Sequence, residues 1–521
     1  MINLNLNKRN FYCLIAVFII SLLLTVKYII FNLNLGIQCS DVYLYLVNAM
    51  YYNGITIPHV ENIVLSPTIC YLTSLLFKLG LTDTSSIFIV TGAFAIFGNI
   101  GCYLLFRQYF DEILSLTGTV IYSTSTLYLI WLANGSLDIP ATGLIIWIVF
   151  FAVKAIKENP RFYIPLSLFF IVAVFTRYTI LLILPVIVFY YILEKGFTIN
   201  KRDLKYIIAG ILIGVTIFLL IQSTITNLSG GDFLPGSQIN GGINGSQGKE
   251  TDPAFNQDIG YYLNNLPNFI SNSHTYFGAN PVLDNPTPLS WGVILIIICG
   301  MGLWIKENKR EIFKKDYAAL ALFIIAVLSF ARVSSVVTIV IVLLGLYLLG
   351  KDSKHKEVYL MLGWIFSNFI FYSYYDIKVN RYILPIFPAL MFFVILSIDT
   401  IQKHFKINKN LIAIIFLALF LIQGFAFTLT IDETYTFKQT EDMSNYIIEN
   451  NPDYKNIPIA TYNMRPYMWW LGPQISGIAH TETQRIDESN FTYYISSNPL
   501  NLTNYTEVKN IGTLYLYKKN V

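Results

Sequence analysis

Thirteen apolar segments, beginning near residues 11, 85, 113, 139, 162, 178, 206, 289, 316, 333, 357, 382 and 410, decide what this chain can become, because each reads as a membrane span bounded by charges or turn residues. With 55% hydrophobic and only 13% charged residues, and a mean hydropathy of +0.56, the sequence cannot fold around a water-soluble core. The expected class is a mostly α, polytopic membrane protein with about 13 transmembrane helices. Its first span, residues 11–31, follows Lys8 and Arg9, is too long for a signal peptide and lacks a small-residue cleavage site, so it reads as a retained anchor.

Basic residues orient the spans. With the N-terminus cytoplasmic, the cytoplasmic turns collect Lys154, Lys157 and Arg161 and the basic groups at 195–205, 306–315, 351–356 and 403–409, while the opposite turns hold few. Two runs, 162–193 and 317–349, are interrupted by Arg177 and Arg332. Taken as single spans they would push the following basic loops outside, so each reads as a hairpin of two short helices with its Arg at the outer turn, snorkelling to headgroups or gripping phosphate. Six Asn-x-Ser/Thr triplets, at Asn134, Asn227, Asn244, Asn490, Asn501 and Asn504, all fall on predicted outer segments. The expected location is the plasma membrane.

Three outer regions are large enough to act. The first loop, 32–84, alternates polar and apolar residues and predicts short interfacial helices. It holds Asp41, in Cys39-Ser40-Asp41-Val42-Tyr43, whose carboxylate at the interface could take a proton from a substrate hydroxyl or hold a metal. His59 and Glu61 in the same loop read as ordinary polar residues or as substrate contacts. The second loop, 227–290, is rich in Gly, Asn, Pro and Asp and reads as a lid candidate. The tail, 431–521, predicts a small extracytoplasmic α/β domain with a helix at 443–449 and strands at 457–462, 491–495 and 513–517, set against a membrane module over 1–430.

The five cysteines form no metal or redox pattern; Cys13, Cys102 and Cys299 lie in spans, and Cys39 and Cys70 share the first loop, where a disulfide is open. No phosphate-cradling glycine loop, dinucleotide fingerprint or zinc spacing is present, so no nucleotide cofactor and no nucleic-acid partner is expected.

Three motifs carry a resemblance. Asp41-Val42-Tyr43-Leu44-Tyr45, continuing through Asn48-Ala49 to Gly54, then Leu137-Asp138-Ile139-Pro140, and above all Asn380-Arg381-Tyr382-Ile383-Leu384-Pro385 with Pro388 beyond, are similar to the motifs of integral-membrane C-type glycosyltransferases, of the branch holding the protein O-mannosyltransferases and the lipid A aminoarabinose transferases. Ser66-Pro67 stands where that family commonly has Pro-Pro. The resemblance implies a sugar donor carried on polyprenyl or dolichyl phosphate and a protein, glycan or lipid acceptor at the outer face of the bilayer.

Phosphate is already a good leaving group, so such a site needs a base for the acceptor hydroxyl and cations for the departing phosphate. Asp41 is the candidate base, and Asp138 a second carboxylate that orients the acceptor or ligates a divalent ion. Arg381, helped by Lys378 and by Arg177 or Arg332, is the candidate phosphate grip, with Tyr382 beside it. Helix caps and snorkelling anchors are the structural alternatives for these residues. An oligosaccharyltransferase, or a non-enzymatic flippase for lipid-linked sugars, are the competing functions; against the first, Trp469-Trp470 is followed by Leu471-Gly472 and not by Asp-Tyr-Gly.

Overall fold

The computed structural model describes residues 8–37, 39–54, 66–229, 243, 255–271, 286–308, 314–330, 332–408, 410–429 and 438–520. His59, Glu61 and most of the lid candidate, at 230–242, 244–254 and 272–285, lie outside the described residues.

All thirteen apolar segments are helical. They form α1 (Lys8–Leu35), α4 (Ser85–Phe106), the pair α5 (Glu112–Thr124) and α6 (Thr126–Ala133), α7 (Asp138–Lys157), α8 (Tyr163–Thr176), α9 (Ile183–Lys195) and α10 (Lys201–Ser229). Beyond the short helices α11 (Tyr261–Asn264) and α12 (Leu266–Ile270) come α13 (Pro288–Glu307), α14 (Lys314–Ser329), α15 (Ser335–Gly350), α16 (Lys356–Tyr374), α17 (Phe387–His404) and α18 (Leu411–Thr428). Eight spans among the described residues are long and apolar enough to cross a membrane, or nine if α5 and α6, bent by 54°, count as one. The shortfall from thirteen has local causes. Breaks at Arg177 and Arg332 shorten α8, α14 and α15, and buried Ser367, Asn368 and Ser373 dilute α16.

The two breaks differ. At Arg332 the chain makes a helical hairpin, with α14 and α15 packed together. At Arg177 the backbone is extended (φ −158°, ψ 120°), and the arms diverge, α8 packing mainly on α7 and α10 and α9 mainly on α16.

Burial sorts the spans. The apolar window of α7 is 94% buried and that of the span Asn380–His404 is 89% buried, whereas α10 buries 11%. These two are central and α10 is peripheral, its exposed Ile211, Leu212 and Leu220 suited to lipid. Close approach of α4 to α7 depends on paired glycines, since a Cβ on Gly98 would stand 2.7 Å from the Gly143 Cα.

The first loop supplies two short helices, α2 (Ser40–Tyr52) and α3 (Pro67–Lys78), packed on one another. Ser66, in the position before Pro67, has φ 45° and ψ 57°. Proline, with φ fixed near −65°, could not adopt that conformation, which accounts physically for Ser at this position. Cys39 and Cys70 are both buried free thiols, so the disulfide left open does not form. Cys299, in a span as expected, is an exposed free thiol on α13.

After α18 the chain builds α19 (Lys438–Asn450), β1 (Ile459–Thr461), α20 (Met464–Leu471), β2 (Ile475–Gly477), α21 (Thr483–Asp487), β3 (Tyr493–Ser496), β4 (Tyr505–Ile511) and β5 (Leu514–Lys519). The strand order is β2-β1-β3-β5-β4. β1 pairs parallel with β2 and β3, and β5 pairs antiparallel with β3 and β4. Met443 and Ile447 of α19 and Tyr467, Met468 and Leu471 of α20 cover one face, and Ile486 of α21 covers the other. The expected helix and three strands are present; β2 and β4 are additions, one only three residues long and the other largely exposed along Thr506, Glu507 and Val508. This unit sits directly on the first loop. Val47 and Tyr51 of α2 join its core, and Trp469 lies against Phe77 of α3 with ring centroids 5.9 Å apart.

Of the sequons, Asn134 is fully buried and donates to the Ile130 carbonyl, so no glycan fits there. Gly98→Ala is expected to lower stability by about 1–3 kcal/mol by forcing α4 from α7; thermal unfolding in detergent micelles checks this, and an unchanged midpoint would contradict the glycine contact.

Candidate active site

Two carboxylates and three guanidiniums meet where α2, α7, the break before α9, the entry to α17 and α20 converge. Asp41 is the second residue of α2, which Cys39 opens with extended backbone (φ −121°, ψ 122°) and a bond from the Val42 amide to the Cys39 carbonyl. An acid in a first turn suits the positive end of the helix dipole. Asp138 starts α7, locked by a reciprocal pair: Ser136 Oγ donates to Asp138 Oδ2 at 2.6 Å, and the Asp138 amide donates back to Ser136 Oγ at 3.1 Å.

Arg381 joins the two acids. Its Nη2 donates to Asp41 Oδ2 at 3.0 Å, while its Nε stands 3.8 Å from Asp138 Oδ2. Local sequence explains its placement: Asn380–Ile386 is a 3₁₀ turn containing Pro385, and Pro388 lies in the first turn of α17. Both prolines suit such an entry turn, where amides lack helical partners anyway. Arg177 Nη1 lies 2.7 Å from Asp138 Oδ1, an ion pair off the hydrogen-bond axis. The fifth member comes from the C-terminal unit, where Arg465, at the start of α20, places Nη1 2.5 Å from Asp41 Oδ1.

Aromatic faces hold the guanidiniums. Arg381 lies 5.2 Å from the Trp131 ring and 5.8 Å from the Tyr382 ring, and Arg177 lies 5.2 Å from the same Tyr382 ring. Tyr382 stacks in turn on Tyr372 at 5.1 Å, and Trp131 Nε1 donates to Asn380 Oδ1 at 3.1 Å. Stacked guanidiniums keep their edge donors free for anions.

Burial sets the electrostatics. Asp138 is 1% exposed, and Arg177 and Arg381 supply the paired cations that a buried carboxylate needs. At Asp41, burial pushes the carboxyl up, but the guanidiniums of Arg381 and Arg465 outweigh it and hold the group below its usual range. Among the described residues, three cations against two anions leave one net positive charge in the cluster. That excess favours a single anionic ligand.

Two expected grips lie elsewhere. Lys378 is 4% exposed and its Nζ donates to the carbonyls of Tyr372, Ser373 and Tyr375. Its three donors are spent on backbone, and burial pushes its pKa down to about 8. It fixes the turn ahead of Arg381 and does not face the carboxylates. Arg332 is exposed at the α14–α15 turn and makes none of the cluster's ion pairs. Arg465, Trp131 and Tyr372 escaped sequence reasoning, and no motif or spacing singles them out.

For a divalent ion, the described residues hold no group of three His, Cys, Asp or Glu side chains. The donor set does not fit one either, because the carboxylate oxygens of Asp41 and Asp138 already face guanidiniums.

The fold has solved counterparts. ArnT from Cupriavidus metallidurans bound to undecaprenyl phosphate superposes with a TM-score of 0.57 at 11% identity, covering 96% of this chain and 97% of that one. The apo form of that protein gives 0.55 at 13% identity with the same coverage. The fold is therefore that of the membrane C-type glycosyltransferases. Residues 65–221 match the family dolichyl-phosphate-mannose-protein mannosyltransferase, a stretch that includes Asp138 and Arg177 but not Asp41, Arg381 or Arg465. No curated protein sequence matches.

Because the folded pKa of Asp41 is depressed, its pairing stabilises the fold above the unfolded value of about 3.9 and is lost as pH falls through the folded one. Asp41→Asn should therefore melt below wild type at pH 7, and the gap should be smaller at pH 3. A gap that stays constant between the two would refute the charged pairing.

Proposed function

We propose that this protein transfers a single sugar from a polyprenyl (dolichyl) phosphate-linked donor to a hydroxyl of a protein, glycan or lipid acceptor at the outer face of the membrane, with inversion at the anomeric carbon. One observation carries the reading above the rest: Arg381, at the head of the deeply buried span Asn380–His404, bridges Asp138, at the head of the deeply buried span Asp138–Lys157, to Asp41 on the first-loop helix. The fold of ArnT, solved with undecaprenyl phosphate, and the mannosyltransferase family match support the donor class, and mannose is the sugar that family name favours.

In this reading the acceptor oxygen attacks the anomeric carbon, the carbon–oxygen bond to phosphate breaks, the acceptor proton passes to Asp41, and polyprenyl phosphate leaves. A carboxylate held below its ordinary pKa is a weak base, suited to a late transfer in which the new glycosidic bond has already acidified the hydroxyl. Guanidiniums of Arg381 and Arg177 stabilise the charge growing on the leaving phosphate, stronger in a buried site than in water. Asp138 is engaged by Ser136, Arg177 and Arg381. That leaves it as the orienting carboxylate rather than a second nucleophile, which favours one displacement and inversion.

The basic turns at 195–205, 306–315 and 403–409 support a cytoplasmic N-terminus and an extracytoplasmic unit over 431–521, above a module over 1–430 in the plasma membrane.

The test is transfer itself. Protein reconstituted in vesicles with labelled polyprenyl-phosphate mannose should deliver sugar to an acceptor, and Asp41→Asn should lower kcat by about 10²–10⁴-fold while keeping the fold. Lipid-linked sugar that crosses the vesicle wall with no transfer product would make the protein a flippase instead.

A further inference from the structure

We infer that Arg465 of the C-terminal unit is a displaceable cap on the candidate base: when the donor binds, the Arg465 guanidinium leaves Asp41 Oδ1 and takes up the donor's phosphate. The inference rests on the reading above and adds a residue from a different part of the chain to it. Asp41 has both oxygens engaged, Oδ2 by Arg381 and Oδ1 by Arg465. While both pairs hold, an acceptor hydroxyl finds each oxygen of that carboxylate already shared with a guanidinium, which weakens it as a base.

The two pairs are unequal. The Arg381 side chain is 14% exposed, lies on the Trp131 and Tyr382 rings and also faces Asp138, whereas the Arg465 side chain is 44% exposed. An ion pair open to water contributes little and is exchanged cheaply, while a buried, stacked guanidinium is held by everything that desolvates it. Arg465 is therefore the partner that yields.

Charge gives it somewhere to go. The cluster carries one cation more than it has carboxylates, and a sugar-linked polyprenyl phosphate is a phosphodiester with one negative charge. Entry of that group balances the site and offers Arg465 a paired oxygen acceptor better matched to its fork than one carboxylate oxygen. Its backbone anchor keeps it in reach: α20, whose Trp469 lies on Phe77 of α3, packs against the same α2 that bears Asp41. Donor binding and release of the base then become one event.

The full-length protein in nanodiscs supplies the test, with undecaprenyl phosphate as the binding probe and labelled polyprenyl-phosphate mannose as the substrate. Arg465→Ala should raise the probe's Kd about tenfold and the donor KM by a similar factor, with far less effect on kcat at saturating donor, because the loss of the cap leaves Asp41 free. Arg465→Lys keeps the charge and should recover most of the affinity. A purely structural latch predicts otherwise: both variants would lower the melting temperature while Kd and KM of the folded fraction stay at wild type, and that result overturns the inference alone. Wild-type protein that neither binds the probe nor transfers sugar would overturn the functional reading along with it.

Discussion

Arg381 holding two carboxylates from distant parts of the chain is the constraint around which this protein is arranged. Asp138 is almost wholly buried, and a lone carboxylate in such a place either takes up a proton or destabilises the fold, by about 3–5 kcal/mol when a partner is stripped from a buried pair. Its cations must therefore arrive in fixed positions. The break at Arg177, the 3₁₀ turn at Asn380–Ile386 and the proline-led start of α17 all serve that end. Each gives up helical hydrogen bonds within an apolar bundle, and each places a guanidinium or the aromatic ring that carries one. Irregular backbone within an apolar bundle is tolerated where protein encloses it, and here it surrounds the cluster.

How much of this could be read from the sequence follows from the range of the forces involved. Thirteen helical segments were legible because hydropathy is a local property, and the helix ends at Asp138 and Asn380 were marked by Pro140, Pro385 and Pro388. Two charges inside apolar runs, Arg177 and Arg332, looked alike along the chain. What separates them is a neighbour: α7 brings Asp138 to Arg177, while Arg332 turns outward at a hairpin. Lys378 shows a second limit, since sequence reveals a charge but not whether backbone carbonyls have already taken its protons. Arg465 shows a third. It lies 424 positions from Asp41, and only the docking of α20 on α2 makes them partners. In the tail, β1, β3 and β5 carry runs of buried residues, whereas β2 buries only Ile475 of Ile475-Ser476-Gly477 and β4 carries too many exposed polar side chains to stand out.

The C-terminal unit changes meaning once its docking is considered. Its sheet has helices on both faces, an arrangement that needs no membrane. Yet its best-buried face is continuous with Val47 and Tyr51 of α2, so the loop helix bearing Asp41 is packed between the bundle and the sheet. Rigidity at Asp41 thus comes from two sides, and a change in the unit's position is transmitted directly to the carboxylate.

The three guanidiniums divide by solvent access, and that division follows from where their chains come from. Arg177 and Arg381 emerge from breaks inside the bundle, at 16% and 14% side-chain exposure, and their neighbours fix them in place. Arg465 emerges from a helix on the water-facing unit and keeps 44%. In a low-dielectric setting the first two act as a preorganised field, needing no rearrangement when negative charge develops nearby. A cation on the wet side can exchange partners, because water replaces each bond it loses. One net positive charge, two fixed cations and one exchangeable cation form a site whose preference for an anion is built into the bundle, while its access is set by the unit that covers it.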